Sequence, residues 1–569
     1  MNPLPNTNTD FDASVSLTSR IDRPVSVKNL SGVGNFLGIY GGEHIAATEF
    51  VFGAVLASWG CPAKDIILGL IIGNILAVLS FTFLCATIAT DTRLTLYSYL
   101  KKILNPPVQK IYNLVWGLCS IALAAAGMTV SATAIREASG VEIQHAWYPT
   151  SISFVVIVLV LGTVVTYVAA HGFEAIAKFS SSCVPWMIAI FFIGAVVSLP
   201  RLAEASGTPL ASLGDVWSLF SAHIGGKADA PPISIYHVIC FAWLCNLAWH
   251  AGLNDMGLFR FAKTYKYGYV STIGMFVGHF FAWIAVAAMG AAAAMVLRTP
   301  LAKLDPGAVT NSILGISGLL AVIVAGWTTA NPTIYRAALS IQTLMPQFSR
   351  KTTTYMVGSV MTLLACLPCM SDISFIVQML GWATVGVGAI CITEHYLFPK
   401  IGLTRYWSMY KGNKVNMAAL AAWLISVVFV VVMRRTGAMH DNFIFIPQYF
   451  IAAIVYLVLA PMLGAKAKYP EAETREQATT ARLVKLADEE AESKLGGGGA
   501  EKHSGIVRKS RIVSILFLAG LVVIAFLVYS GMLSVDGFKT ICLILSVLYF
   551  VFSGIATYIQ YRSERAAIE

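Results

Sequence analysis

Three polar interruptions stand inside otherwise apolar runs. The first, "GIYGGEHIAATEF" (38–50), sets Glu43, His44 and Glu49 beside the glycines Gly38, Gly41 and Gly42. The second, "CNLAWHAGLND" (245–255), carries Asn246, Trp249, His250, Gly252, Asn254 and Asp255. The third, "AGWTTANPTIYRAAL" (325–339), places Thr328 and Thr329 just before Asn331 and Pro332. An ionisable group within a membrane span is costly, so it normally faces the protein interior and marks a function.

Glu43 has three readings. Its carboxylate can accept two hydrogen bonds from an amidine-like or guanidine-like solute, which gives directional recognition. With His44 it can form a proton-coupling pair working in the physiological range. Otherwise it pairs with a basic residue and holds the packing. Glu49, two turns onward, is expected at the outer mouth or in a pair, outside the site. Glu394 and His395 repeat the dipeptide near the cytoplasmic edge, where an interfacial or gating role is expected. Thr328 and Thr329 offer the oxygen ligands that hard cations need, unless each hydroxyl bonds back to its own helix.

The elements that position these residues follow from composition. The 569-residue chain is 57% hydrophobic and 12% charged, against about 25% charged in soluble domains. That excludes an ordinary soluble fold and predicts an all-α polytopic membrane protein. Windows of about 20 apolar residues give roughly fourteen spans. Ten lie near 34–59, 66–90, 112–134, 150–170, 181–199, 233–256, 268–297, 311–340, 353–370 and 373–396. Spans 11 and 12 follow at 416–464, and spans 13 and 14 at 511–560, after a charged segment at 465–510.

Lys and Arg outnumber Asp and Glu, 39 to 29. They cluster in alternate loops, which is the positive-inside pattern and not a nucleic-acid surface. The polar tail 1–33 and the C-terminus are therefore expected in the cytoplasm, with Arg434 and Arg435 as the exception. Nothing near the N-terminus resembles a cleaved signal. Within 465–510 a cytoplasmic helix is expected, then a flexible break at "GGGG" (496–499). The segment reads as a connector, and spans 11–14 as peripheral packing or a homo-oligomer contact. The ten cysteines are scattered, and "CLPC" (Cys366, Cys369) lacks partners for a metal site.

The first and sixth spans are both interrupted, five positions apart in the span order. Unwound backbone at membrane depth survives where it lines a cavity. The pattern predicts a five-plus-five inverted repeat, 34–199 and 233–396, with helices 1 and 6 broken around a midplane site. The first break is expected at Gly41–Gly42. Glycines that only let helices pack closely are the alternative.

At this point the chain resembles the nucleobase–cation symporter family, in its cytosine/purine permease branch. "WTTANPTIYRAAL" (327–339) resembles that family's eighth-helix motif, and "LGLIIGNILAVLSFTFLCATIATDTRLTLYSYLKKILN" (68–105) its second helix and following loop. "HGFEAIAKFSSSCVPWM" (171–187), "NDMGLFRFAK" (254–263), "GWATVGVGAICITEHYLF" (381–398) and "IPQYFIAAIVYLVL" (446–459) occur in the family's order, so the resemblance covers about residues 30–463.

The resemblance implies a LeuT-type transporter, with about four additional C-terminal spans here, that takes up a flat nitrogen heterocycle with Na⁺ or H⁺. It implies cation binding at Gly38, Gly42, Thr328 and Thr329. It implies substrate binding at Gly41, Glu43, His44, Asn246, Trp249, His250 and Asn331. Two departures stand out. The third-helix stretch "SIALAAAGMTVSA" (120–132) has neither the aromatic on which the family stacks its base nor the nearby amide, leaving Trp249 as a stacking face. The family also lacks an acid where Glu43 sits.

The expected function is therefore secondary active import of a small nucleobase-like or cyclic amidine or guanidine compound by cation symport, in a plasma (inner) membrane. The paired threonines point to Na⁺ and the Glu-His pair to H⁺; of the two, Na⁺ is expected. No cofactor is expected. The alternatives are a proton-coupled carrier of another small cationic or zwitterionic solute, a channel, or a membrane enzyme using Glu43, His44 and His250.

Overall fold

The computed structural model describes residues 22–144, 146–171, 173–224, 233–301, 304–368, 373–494 and 504–566. Most of the tail, Cys369 and the "GGGG" run lie outside them. Among the described residues the regular structure is helical, and ten helices are long and apolar enough to cross a membrane.

The first span is two helices, α1 (Val33–His44) and α2 (Ala47–Ser58). α3 (Ala63–Thr92) follows, then the short α4 (Leu96–Ile103), α5 (Asn105–Ala138), α6 (Ile152–Ala170) and α7 (Phe173–Ser206). After α8 (Leu213–His223), the sixth span comes in three pieces, α9 (Ile235–Leu244), α10 (Leu247–His250) and α11 (Met256–Phe259). α12 (Tyr265–Val296), the short α13 (Pro306–Leu314), α14 (Ile316–Gln342), α15 (Arg350–Ala365) and α16 (Ile373–Leu397) complete the second set of five spans. α17 (Met417–Thr436) and α18 (Phe445–Ala465) follow. The polar α19 (Pro470–Lys494) then leads to α20 (Ser504–Tyr529) and α21 (Val535–Ala566).

Both expected interruptions are present, but the first is displaced from the glycine pair. α1 continues through Gly41 and Gly42 and ends at His44; Ile45 N–H closes onto Gly41 O at 2.9 Å, and Ala46 is extended (φ −124°, ψ 175°). The glycines serve packing instead. A Cβ on Gly42 would lie 2.7 Å from Ser180 Cβ, and one on Gly41 2.8 Å from Val184 Cγ1, both on α7. Small residues there let two helix backbones approach closely. At the break, His44 Nδ1 bonds back to Tyr40 O at 2.9 Å, and the His44 carbonyl is pressed against Gly278 of α12, where a Cβ would collide with it.

In the sixth span the backbone leaves the helix at Asn246 (φ −116°, ψ 16°) and again at Leu253, which is left-handed (φ 63°). Pro332 does not interrupt α14, which runs unbroken past it. The last pair packs against α7: Trp186 Nε1 donates to Ser546 Oγ at 2.9 Å and Tyr549 Oη to Ser182 O at 2.7 Å. α19 lies beside the entry to α1, with Arg23 paired to Glu490 at 3.3 Å, Lys28 to Glu492 and Lys102 to Glu476.

Candidate functional site

The two breaks face each other across a cavity of about 30 Å³. Its wall includes Glu43, His44 and Thr48 from the first span and Cys245, Asn246 and Trp249 from the sixth. Leu123 of α5, His279 of α12, Thr329 and Thr333 of α14 and Val377 of α16 complete it with Phe52. A water fits such a volume and a ring compound does not, so these side chains are closed around the site.

Glu43 meets a partner that its own segment does not reveal. Arg336 Nη1 and Nη2 hold its two carboxylate oxygens at 2.5 and 2.8 Å, and Nη2 also reaches Asp255 Oδ1 at 2.5 Å. Tyr40 Oη donates to Asp255 Oδ2 at 2.5 Å. Arg336 and Asp255 are fully buried and Glu43 is 6% exposed. The guanidinium fork matches a carboxylate bidentately, and here one arginine joins broken helix 1, broken helix 6 and α14. Of the three readings of Glu43, this geometry is that of the pairing one, although its side chain still lines the cavity.

The other substrate-contact expectations divide. His44, Asn246 and Trp249 line the cavity with Glu43. Trp249 stands edge-on to Trp116 of α5 at 6.1 Å, and its buried Nε1 has no hydrogen-bond partner among the described residues. Gly41, by contrast, faces α7. His250 is folded into the break, with Nδ1 accepting from Ala251 N–H at 2.8 Å and Nε2 donating to Trp243 O at 3.0 Å. Asn331 turns to α6, where its amide donates to Val165 O at 3.1 Å and accepts from Trp327 Nε1 at 3.2 Å. An enzyme reading that needs Glu43, His44 and His250 to converge finds His250 engaged elsewhere.

At the expected cation site, Thr328 and Thr329 both donate to Ala325 O, at 3.0 and 2.9 Å. Their protons are used inside α14, which leaves lone pairs for a ligand. Gly38, like Gly42, presents its Cα to α7, against Ser181 and Ala177 O.

Glu49 is fully buried and paired, not at an outer mouth. Thr48 Oγ1 donates to its Oε1 at 2.8 Å and Trp283 Nε1 to its Oε2. His279 Nε2 lies 3.7 Å from Oε1, while His279 Nδ1 meets Asn246 Nδ2 at 3.1 Å. Near the other end of the fold, Glu394 accepts from Tyr406 N–H at 2.6 Å and from Tyr456 Oη. His395 Nε2 lies 3.2 Å from Asp91. This second Glu-His pair joins α16 to α18 and α3, away from the cavity.

Sequence reasoning named Asp255 in the sixth-span interruption without giving it a role, and passed over Arg336, Tyr40, His279 and Thr333. Arg336 and His279 each carried a usable signal, a basic side chain deep in an apolar span.

No protein-family model and no curated protein matches the chain in sequence. Solved structures match it in fold. One is Mhp1, a nucleobase-cation-symport-1 family transporter, in a closed conformation with bromovinylhydantoin bound. Its TM-score is 0.62 at 15% identity, over 81% of this chain and 99% of that one. The chain has the five-plus-five LeuT-type fold. A Na⁺-coupled sialic acid symporter in a substrate-bound outward-open state matches with a TM-score of 0.57 at 13% identity, over 81% and 98% of the two chains. The inward-facing conformation of Mhp1 matches with a TM-score of 0.56 at 14% identity, over 80% and 96%.

Proposed function

We propose that the protein is a secondary active transporter that imports a small nitrogen heterocycle by cation symport, alternating access around the cavity between the two breaks. The observation that carries this reading is the cavity itself. Both broken helices meet there, and the tryptophan of the sixth-span break, Trp249, brings an unpartnered N–H to its wall. A flat ring with an acceptor edge complements an indole face and N–H, with Asn246 and His44 as further polar contacts. The cation-coupled symporters that share the fold support the same class of activity. On this reading the membrane is a plasma (inner) membrane, and the basic loops support an orientation with both termini in the cytoplasm.

The Arg336 triad shapes the cycle. It ties the two broken helices to α14 on one side of the cavity, so opening on that side must separate or carry along three buried charges. Stripping partners from buried charges costs several kcal/mol, which gives substrate and cation binding a barrier against which to act.

Uptake of radiolabelled cytosine, uracil and hydantoin into proteoliposomes, under imposed Na⁺ or pH gradients, tests the proposal. Saturable accumulation above equilibrium, weakened in Trp249→Ala, is expected. Equilibration without accumulation for every ring compound and either gradient overturns it.

A further inference from the structure

The buried pair Glu49–His279 stands at the cavity, where His279 forms part of the wall, and it has no part in the triad. Glu49 sits in the first turn of α2. His279 sits in the π-helical stretch Ile273–Ala282 of α12, and such stretches recur at functional sites because they re-aim a side chain. Among the described residues no Lys or Arg pairs with Glu49; the basic group beside it is His279. An ionised carboxylate so placed would be an uncompensated charge in a membrane protein interior, which is strongly disfavoured.

The groups around Glu49 are donors. Thr48 O–H and Trp283 N–H point at its two oxygens, and His279 stacks on the Trp283 ring with centroids 4.7 Å apart. A sodium ion requires a cage of oxygen acceptors, and an indole N–H and an imidazole edge do not supply one. A proton requires a carboxylate with a basic neighbour, and that is what the geometry presents. The His44 ring stands 5.3 Å from that of His279, and Asn246, also on the cavity wall, meets His279 Nδ1 at 3.1 Å.

We infer that Glu49 and His279 form the binding site of a coupling proton, reached from the central cavity past Asn246 and His44. This rests on the transport reading above and names its cation. The step is simple in its balance: one H⁺ joins the pair, an O–H or N–H bond forms, and the pair's charge goes from −1 to 0. On release that bond breaks and the proton leaves to the opposite side. Other titratable groups close by are His44 on α1 and Cys245 in the sixth-span break; Glu43 on the cavity wall is held by Arg336. From α5, α14 and α16 the cavity wall receives Leu123, Thr329, Thr333 and Val377, none of which titrates.

The test uses the full-length protein in nanodiscs, with the proton as probe and no substrate. Infrared difference spectra over about pH 5 to about pH 9 should show a protonated-carboxyl band, shifted in D₂O, that disappears on alkalinisation. Glu49→Gln should abolish that band, and Glu49→Asp should keep it at a moved frequency should the glutamine variant fold poorly. Glu43→Gln should leave it in place. His279→Gln should shift its midpoint at least tenfold in proton concentration. A band that survives Glu49→Gln, an unmoved midpoint in His279→Gln, or no titrating carboxyl overturns the inference. Because no solute is needed, that failure is distinct from a failure of transport.

Discussion

Arg336 of α14 grips both carboxylate oxygens of Glu43 on α1, at 2.5 and 2.8 Å, although 293 positions separate them in sequence. The acid that most sets the first span apart is thus half of a tertiary ion pair, and Asp255 shares the same guanidinium. Removing either side of this arrangement has unequal consequences.

Arg336→Met leaves two buried carboxylates without their cation. It should destabilise the protein by about 3–5 kcal/mol, whereas Glu43→Gln keeps a hydrogen-bond acceptor and leaves Asp255 on the arginine, and should cost less. Apparent melting temperatures of the two variants in detergent check the order. Equal losses would show that the pair does not bear on stability as the geometry indicates.

Gly42→Val should be severe for a different reason. The new Cβ would lie 2.7 Å from Ser180 Cβ, between two packed helices. Overpacking of this kind costs about 1–3 kcal/mol, and Ser180→Gly in the same chain should recover part of it. Thermal unfolding of the single and double variants reads the coupling.

The contacts of α19 with the segment before α1 should behave as a surface clamp. Arg23–Glu490 and Lys28–Glu492 are solvent-accessible pairs, and Ser26 Oγ donates to Asp488 at 2.5 Å. Exposed pairs contribute about 0.2–1 kcal/mol each and weaken with salt. Replacing Asp488, Glu490 and Glu492 by their amides should leave the melting temperature nearly unchanged while amide exchange across 23–31 rises. High salt should produce the same rise in the unmodified protein.

A pH-dependent element lies outside the spans. Asp215 closes a capping box at the start of α8, its Oδ2 accepting from Ala211 N at 2.9 Å and from Ser212 N and Oγ at 2.8 and 3.0 Å. These bonds, that from Ala211 first, hold its carboxyl below the ordinary carboxylate value. A carboxyl depressed in the folded state stabilises above its unfolded pKa, and the effect is lost as pH falls through the folded value. Hydrogen-exchange protection in α8, taken relative to the intrinsic rate at each pH, should therefore fall in acid, and Asp215→Asn should flatten that dependence.

Much of this arrangement was readable along the chain, for reasons that separate local from tertiary information. Glycines and polar residues in spans one and six announce interruptions because both weaken an apolar helix locally. Where α1 stops is a tertiary matter: Gly41 and Gly42 stay helical because α7 fills the space beside them, and the chain breaks at Ile45 and Ala46 once His44 is seated against Gly278. The partner of Glu43 was equally out of reach, since nothing in "GGEH" specifies which of many basic residues meets it. His250 and Asn331 carry the right chemistry for a ligand, but the folded break and α6 use it first. Glu49 and His279 form a pair only once α2 and α12 are side by side.

The placement of α20 and α21 against α7 bears on how the bilayer acts on this molecule. One face of α7 carries the glycine-lined α1, and another is covered by protein through Trp186, Ser182 and their partners on α21. A helix bordered by lipid must adjust its tilt when acyl chains lengthen or shorten. On its covered side α7 instead meets α21, so that side of the helix that carries α1 borders the chain's own protein and not acyl chains.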